Sequence, residues 1–166
     1  MLGFASVNRG VATTVNFDTA GTTGLYNIYS GQPRGGEKVT DATYQSKPIT
    51  EVKLHLSKTG SPTGTGYCRI RKTSDGSIVA TAATTIDVST ITGSRAEYTF
   101  TFSNETTPAE AFYVLFEFTG GAGPDYITVY GSTGGSTTAI GVGVFYDVSF
   151  NDQVNDDARG SLTYLA

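Results

Sequence analysis

Alternation of apolar and polar residues with a period of two dominates the chain and predicts short β-strands. Between residues 51 and 57 every second side chain is apolar, which places the apolar set on one face of a strand. Residues 67–71 repeat the pattern after a Gly- and Pro-containing segment at 60–64 that is typical of a turn. We therefore predict a β-hairpin over residues 48–72.

Other segments follow the same rule with different flanks. Residues 112–118 are apolar on both faces, which predicts a central strand. An apolar residue at every even position of 140–150 predicts one long strand with a single buried face. One proline and two adjacent glycines predict a loop at 31–37, followed by an edge strand over 39–45. A single helical turn is predicted at 107–111, where a threonine precedes a proline.

The elements together predict an all-β fold, an antiparallel β-sandwich of the jelly-roll type. Eight or more short strands are separated by turn signals, and helical periodicity never exceeds about two turns. Long connections at 31–38 and 84–95 favour a jelly-roll over a meander. The 166 residues fit one domain, which we place at 15–166 after a polar N-terminal arm at 1–14. The arm has too few apolar residues to order itself.

Composition and charge narrow the function further. The formal charge of −4 and a pI near 4.8 argue against a nucleic-acid partner, which requires a basic surface. No run approaches the length of about 18 apolar residues that a membrane span needs. The first residues lack the basic segment and apolar run of a signal peptide, so we expect no export by the general secretory route. The single cysteine, Cys68, is expected to be a buried apolar residue and not a reactive thiol.

Catalytic chemistry has few candidate residues. His55 is the only histidine, so a multi-histidine metal site is excluded and any Ser-His-Asp triad must use it. His55 falls on the polar face of its strand, beside Lys53, where a solvated histidine is the simpler interpretation. We therefore predict no catalytic residues, no enzyme activity and no organic cofactor.

Acidic residues cluster near the C-terminus, and three interpretations of them are open. Calcium binds oxygen ligands from loops of this kind, and the candidates are Asp152, Asn155, Asp156 and Asp157. Their spacing does not match the helix-loop-helix calcium motif. The simpler alternative is that these acids are solvated loop residues. The third interpretation is catalytic, because glycoside hydrolysis uses a pair of carboxyl groups at a set separation across a cleft.

A set of aromatic and arginine residues predicts a ligand face or a subunit interface. Tyr67, Arg69 and Arg71 share the polar face of one strand, and Tyr126 and Tyr130 share one face of a later strand. Phe4 is the lone aromatic residue of the arm. Exposed aromatics serve as sugar platforms, although tryptophan is absent. Tyr and Arg are also enriched in subunit interfaces, which is the interpretation we favour.

A resemblance accompanies these patterns. The run Ile-Thr-Glu-Val-Lys-Leu-His-Leu at 49–56 leads to Lys-Thr-Gly-Ser-Pro-Thr-Gly at 58–64. The aromatic strand Ala-Phe-Tyr-Val-Leu-Phe at 111–116 is followed by Thr-Gly-Gly and Asp-Tyr-Ile. Over residues 45–131 the chain resembles jelly-roll modules of bacterial and archaeal surface proteins and of bacteriophage virion proteins. The resemblance implies a carbohydrate-binding-like sandwich that serves as spacer, adhesive domain or decoration, and it assigns no functional residue.

Two functions remain open on this basis. The first is a non-catalytic structural protein of a virion, a capsid decoration or cement protein that acts as a homo-oligomer and contacts a capsid or another virion protein. Such a protein needs complementary surfaces and no reactive groups. The alternative is a carbohydrate-binding or adhesive module on a cell or virion surface, with glycans as partners and an extracellular location. Neither alternative involves nucleic acid or a membrane.

Overall fold

The computed structural model describes residues 10–133, 140–147, 149–153 and 156–166. The strands in these ranges are β1 (Ala12–Asp18), β2 (Thr23–Ile28), β3 (Arg34–Val39), β4 (Ile49–Thr59), β5 (Thr65–Lys72), β6 (Ile78–Thr81), β7 (Ile86–Asp87), β8 (Ala96–Thr101), β9 (Phe112–Glu117), β10 (Tyr126–Ser132), β11 (Gly141–Tyr146), β12 (Phe150–Gln153), β13 (Asp157–Ala158) and β14 (Gly160–Leu165). Short 3-10 turns lie at Ala42–Tyr44 and Val88–Thr90. Among the described residues no helix is long and apolar enough to cross a membrane.

The strands form two antiparallel sheets packed face to face, which confirms the predicted β-sandwich. In the first sheet β4 lies in the middle, with β8 on one edge and both β14 and β10 on the other. β1 extends this sheet beyond β14, and β2 and β13 pair with β10. The second sheet has the order β12-β11-β3-β9-β5-β6, with β7 also on β5.

Apolar side chains from the inner faces of both sheets fill the space between them. Phe116 of β9 is fully buried and its ring lies 6.2 Å from that of Phe100 of β8, so the two sheets meet through aromatic contact. Cys68 is also fully buried, as predicted, and burial raises the pKa of its thiol. Val52, Leu54 and Leu56 face the same interior, which confirms the alternation found in the sequence.

The predicted hairpin over residues 48–72 is wrong, although both of its strands exist. β4 belongs to the first sheet and β5 to the second, so the two do not pair. The segment between them crosses from one sheet to the other, through Gly60 and Gly64 at positive φ. Alternation shows only which face of each strand is apolar. It does not show whether two consecutive strands lie side by side in one sheet or in the two sheets of a sandwich.

The predicted loop at 31–37 is correct for residues 31–33 and wrong from residue 34, because Gly35 and Gly36 lie in β3. A Cβ on Gly36 would stand 2.2 Å from the carbonyl oxygen of Val114, and a Cβ on Gly35 would stand 2.7 Å from Ile28 Cδ1. These glycines therefore permit close packing inside a sheet and do not mark a turn. The segment 31–38 is accordingly not a long connection between strands.

The predicted single strand over 140–150 is two strands, β11 and β12, which pair as an antiparallel hairpin. Its even-numbered face is apolar as predicted, but it points away from the main core. Val144 and Phe150 pack there with Tyr113 and Leu115 of β9 in a second, smaller apolar cluster. Val148 lies outside the described residues.

Two short predictions in the connecting segments are corrected as well. Residues 42–44 form a 3-10 turn instead of an edge strand, because the Asp41 carboxylate accepts a hydrogen bond of 2.8 Å from the Thr43 amide. No helical turn forms at 107–111. The Thr107 hydroxyl instead donates to the carbonyl of Tyr44 and accepts from the Lys47 amide, which ties two loops together.

The N-terminal boundary differs slightly from the one expected. β1 begins at Ala12, so residues 12–14 of the proposed arm are paired with β14. Phe4 lies outside the described residues. The ordering of the rest of the arm on a partner stays a prediction.

Candidate binding face

The outer surface of the second sheet brings charged and aromatic residues into register. One row crosses four strands in the order Tyr146, Arg34, Glu117, Tyr67, because these residues are direct cross-strand partners. The neighbouring row includes Leu115 and Arg69, and the row after that includes Tyr113 and Arg71. Residues two apart on a strand share a face, so all of these side chains project to the same side.

Glu117 is the centre of an ion cluster on this surface. Its carboxylate is buried, with the residue 4% exposed. Arg71 donates to both oxygens, from Nε to Oε1 at 2.5 Å and from Nη2 to Oε2 at 3.1 Å. Arg69 Nη1 donates to Oε2 at 2.7 Å, and Arg34 Nε lies 3.7 Å from the same oxygen. A buried carboxylate is stable only with partners of this kind, and here three guanidinium groups surround one carboxylate.

Aromatic rings support two of these guanidinium groups. The Arg34 guanidinium lies 4.2 Å above the ring of Tyr146, and that of Arg69 lies 4.5 Å above the ring of Tyr67. Stacking of this type holds a guanidinium plane in a fixed orientation. Phe150 of β12 contacts Tyr146 edge-on at 4.9 Å between ring centres, so the hairpin of β11 and β12 supports the end of the row.

Two cavities adjoin the cluster, and Arg34 lies in the wall of both. The smaller, of about 250 Å³, lies between the ends of β3, β5 and β9 and is lined by Arg34, Tyr67, Arg69 and Glu117 together with two threonines. The larger, of about 520 Å³, lies between the turn after β5 and the hairpin of β11 and β12. We call this surface, with Arg34, Arg69, Arg71, Glu117 and the adjoining rings of Tyr67 and Tyr146, the arginine face.

The residues singled out from the sequence divide between the two outer surfaces of the sandwich. Tyr67, Arg69 and Arg71 all lie on the arginine face. Tyr126 and Tyr130 share one face of β10, but that face is the outer surface of the first sheet. The Tyr130 hydroxyl hydrogen bonds with Ser57 Oγ at 3.1 Å there. The two groups of aromatics therefore cannot form one platform.

His55 lies on the outer surface of the first sheet, on the polar side of β4 as predicted. Its side chain is 16% exposed, and Nε2 lies 3.6 Å from Glu97 Oε2. Burial lowers the pKa of His55, and the nearby positive charge of Arg159 lowers it further. Among the described residues no hydrogen bond joins the His55 side chain to a hydroxyl group that could act as a nucleophile.

The calcium candidates do not converge on one position. Asp152 pairs with Lys38 on the outer surface of the second sheet, whereas Asp157 is buried between the sheets. Asp156 accepts a hydrogen bond from the Tyr26 hydroxyl at 3.5 Å. Asn155 lies outside the described residues. Within the described ranges no group of three or more acidic, histidine or cysteine side chains is placed to hold a metal ion.

An acid pair in the interior was not expected from the sequence. Glu37 of β3 and Asp157 of β13 place two buried carboxyl groups near each other between the sheets, and Glu37 Oε1 has no hydrogen-bond partner among the described residues. The other oxygen of Glu37, Oε2, accepts from the Ala158 amide at 2.9 Å. Burial, opposed in part by that amide, raises the pKa of Glu37 well above its usual range. The pair is enclosed and has no access for a substrate, so we assign it a structural role.

Sequence reasoning missed Glu117, Arg34 and Tyr146 as members of the arginine face, and Phe150 as the residue that packs against Tyr146. Glu117 had a usable signal, since a carboxylate inside the most apolar strand requires a cationic partner. Arg34 had no such signal in the sequence, because the adjacent glycines were interpreted as a loop and not as the strand that places Arg34 beside Glu117.

Known proteins give no direct indication of the function. No protein-family model and no curated protein sequence matches the chain.

Proposed function

We propose that the protein is a non-catalytic glycan-binding module that acts as an adhesive domain on a cell or virion surface, with the arginine face as its ligand site. The observation that carries the proposal is the meeting of two cavities at Arg34, in a row of aromatic rings and guanidinium groups. Aromatic faces pack against the apolar side of a sugar ring, and fixed donors bind its hydroxyl groups. A sheet of a jelly-roll sandwich offers both on one surface.

The cluster itself supports binding over catalysis. Both oxygens of Glu117 accept hydrogen bonds from guanidinium groups, so the carboxylate is committed to holding the face together. A general acid or base must instead be within hydrogen-bond reach of a substrate proton. No second carboxylate among the described residues lines the smaller cavity.

A glycan array, followed by calorimetry on the best ligand, tests the proposal. Tyr67→Ala removes a ring from the arginine face, and Tyr126→Ala removes a tyrosine from the opposite surface as a matched control. We expect Tyr67→Ala to abolish binding and Tyr126→Ala to preserve it. Absence of any glycan ligand, or loss of binding only in Tyr126→Ala, would contradict the proposal.

A second function, the capsid decoration protein, is favoured by the free edge of β1. Within the described residues β1 ends its sheet and pairs with β14 alone, and the adjacent Val11 is 75% exposed. Residues 12–17 contain no charge and no proline, the features by which edge strands usually avoid pairing with other chains. Such an edge is suited to a homo-oligomer or to the strand of a shell protein.

Light scattering after size-exclusion chromatography tests this second function. The Ala166 amide donates to the Val11 carbonyl, and the alternation of antiparallel bonds then directs the Thr14 amide outward. Thr14→Pro removes that donor and keeps the backbone hydrogen bonds to β14, although it loses the side-chain hydrogen bond with Thr163, so it should convert an oligomer to a monomer. A wild-type chain that is already monomeric and does not bind capsids would exclude the decoration function.

A further inference from the structure

Arg34 has donors that the protein does not use. Its guanidinium stacks on Tyr146, and its closest carboxylate oxygen, Glu117 Oε2, lies 3.7 Å from Nε, beyond hydrogen-bond distance. The described residues offer it no hydrogen-bond acceptor, and its side chain is 25% exposed. Arg71 is the contrast, since it donates to both oxygens of Glu117 and to the carbonyl of Gly76. The guanidinium group of Arg34 is therefore held in place by Tyr146, while its N–H donors make no hydrogen bond to the described residues.

Arg69 also lines the smaller cavity and also has an N–H group without a hydrogen-bond partner. Its Nη1 binds Glu117, but its Nε is buried and has no hydrogen-bond partner. Nearly all buried donors in folded proteins have an acceptor, so the partner of this one is outside the described residues, either a water molecule or a ligand group. Arg34 and Arg69 thus face the same cavity of about 250 Å³ with donors to spare.

The local charge favours an acceptor that is negative. Three guanidinium groups surround the single carboxylate of Glu117, so the cluster has two positive charges in excess. The whole chain has a formal charge of −4, which makes this face a local exception. A concave site with a charge opposite to that of its ligand concentrates the field and attracts the ligand.

From these observations we propose that the smaller cavity binds the oxyanion of an acidic saccharide, a carboxylate or a sulfate group, between Arg34 and Arg69. The inference rests on the proposed function and specifies its ligand class. The oxyanion accepts from the free N–H groups of Arg34 and is attracted by the positive charge of Arg69, while the ring of Tyr67 and the hydroxyls of Thr65 and Thr119 border the sugar. Guanidinium groups match the geometry of such anions.

Two matched pairs of probes separate charge from sugar structure. Oligogalacturonate and its methyl ester share one backbone and differ in the carboxylate, and dextran sulfate and dextran differ in the sulfate. We expect at least one charged probe to bind about tenfold or more tighter than its neutral partner. The preferred pair identifies whether the oxyanion is a carboxylate or a sulfate. Increasing salt should weaken the charged complex.

Arginine variants assign the effect to the cavity. Arg34→Gln should remove the preference for the charged probe, and Arg34→Lys, which retains charge but not the planar fork, should restore only part of it. Arg95→Gln, on the other sheet, is the control and should bind as wild type. Equal binding of charged and neutral probes, or a preference that survives Arg34→Gln, would overturn the inference and leave the proposed function standing. No binding of any saccharide would overturn both.

Discussion

Glu37 and Asp157 bring two buried carboxyl groups, one from each sheet, close together inside the sandwich. Both residues are buried, at 0% and 1% exposure. Burial, together with the nearby charge of Asp157, raises the pKa of Glu37 and so favours its protonated form. The contact between the sheets therefore depends on protonation.

The contribution of Glu37 to stability should decrease as the pH rises above about 4.5, the usual pKa of glutamate. Folded Glu37 keeps its proton above this pH, whereas unfolded Glu37 releases it. The folded state then binds more protons than the unfolded state, so the free energy of unfolding falls with increasing pH, by at most about 1.4 kcal/mol per pH unit for one group. Urea unfolding at several pH values measures the slope. Glu37→Gln should flatten it, whereas Glu51→Gln, on the outer side of β4, should not.

His55 adds a pH dependence of the opposite sign. Its lowered pKa means that the folded state binds fewer protons, so its contribution to stability is lost as the pH falls below about 6.5. Near pH 8 His55→Gln should change the unfolding free energy by no more than about 0.5 kcal/mol. The same unfolding series checks both points. A loss of several kcal/mol in the variant would show that His55 is a structural residue.

Removal of the Glu117 carboxylate should be costly. Glu117→Gln leaves three guanidinium groups without a counter-ion, one of them on the buried Arg71, and should destabilise the fold by about 3–5 kcal/mol. Glu97→Gln is the control, since Glu97 is exposed and its ion pair with Lys53 should contribute less than about 1 kcal/mol. Chemical denaturation of both variants measures the difference. Equal losses would mean that the arginines do not depend on Glu117.

The core assignment predicts a large effect at Phe116. Phe116→Ala leaves a cavity between the sheets and should destabilise the protein by about 3–5 kcal/mol. Thr99→Ala, at an exposed position of β8, should change stability by less than about 0.5 kcal/mol. Thermal and urea unfolding of the two variants give the comparison. Similar values for both would refute the facing of β9.

Close packing at Gly36 can be tested with a single methyl group. Gly36→Ala places a Cβ against the Val114 carbonyl and should force β3 away from β9, at a cost of about 1–3 kcal/mol or more. Gly93→Ala is the matched control, because a Cβ there meets nothing within 4 Å, and its effect should remain within about 1 kcal/mol. A neutral Gly36→Ala would show that β3 tolerates side chains on both faces.

Local pattern was sufficient for the fold class but not for strand partners. The alternation in β4 and β5 correctly placed Leu54 and Cys68 in the core, because the apolar face of a strand is set by its own residues. Which strand lies beside another depends on residues far along the chain, and the expected hairpin failed for that reason. Tyr67, Arg69 and Arg71 were found from one strand. Arg34 could not be found, since its place beside Glu117 follows from packing around Gly36.

The separation of β4 and β5 into different sheets has a consequence for how the chain folds. β4 obtains its partners from distant segments, with Val52 opposite Phe100 on one edge and opposite Leu162 on the other. Neither contact forms before a long loop has closed, because β4 does not pair with β5, the next strand along the chain. Folding should therefore require milliseconds to seconds, and a ribosome-bound chain that lacks β14 should leave one edge of β4 incomplete until β14 has been synthesised.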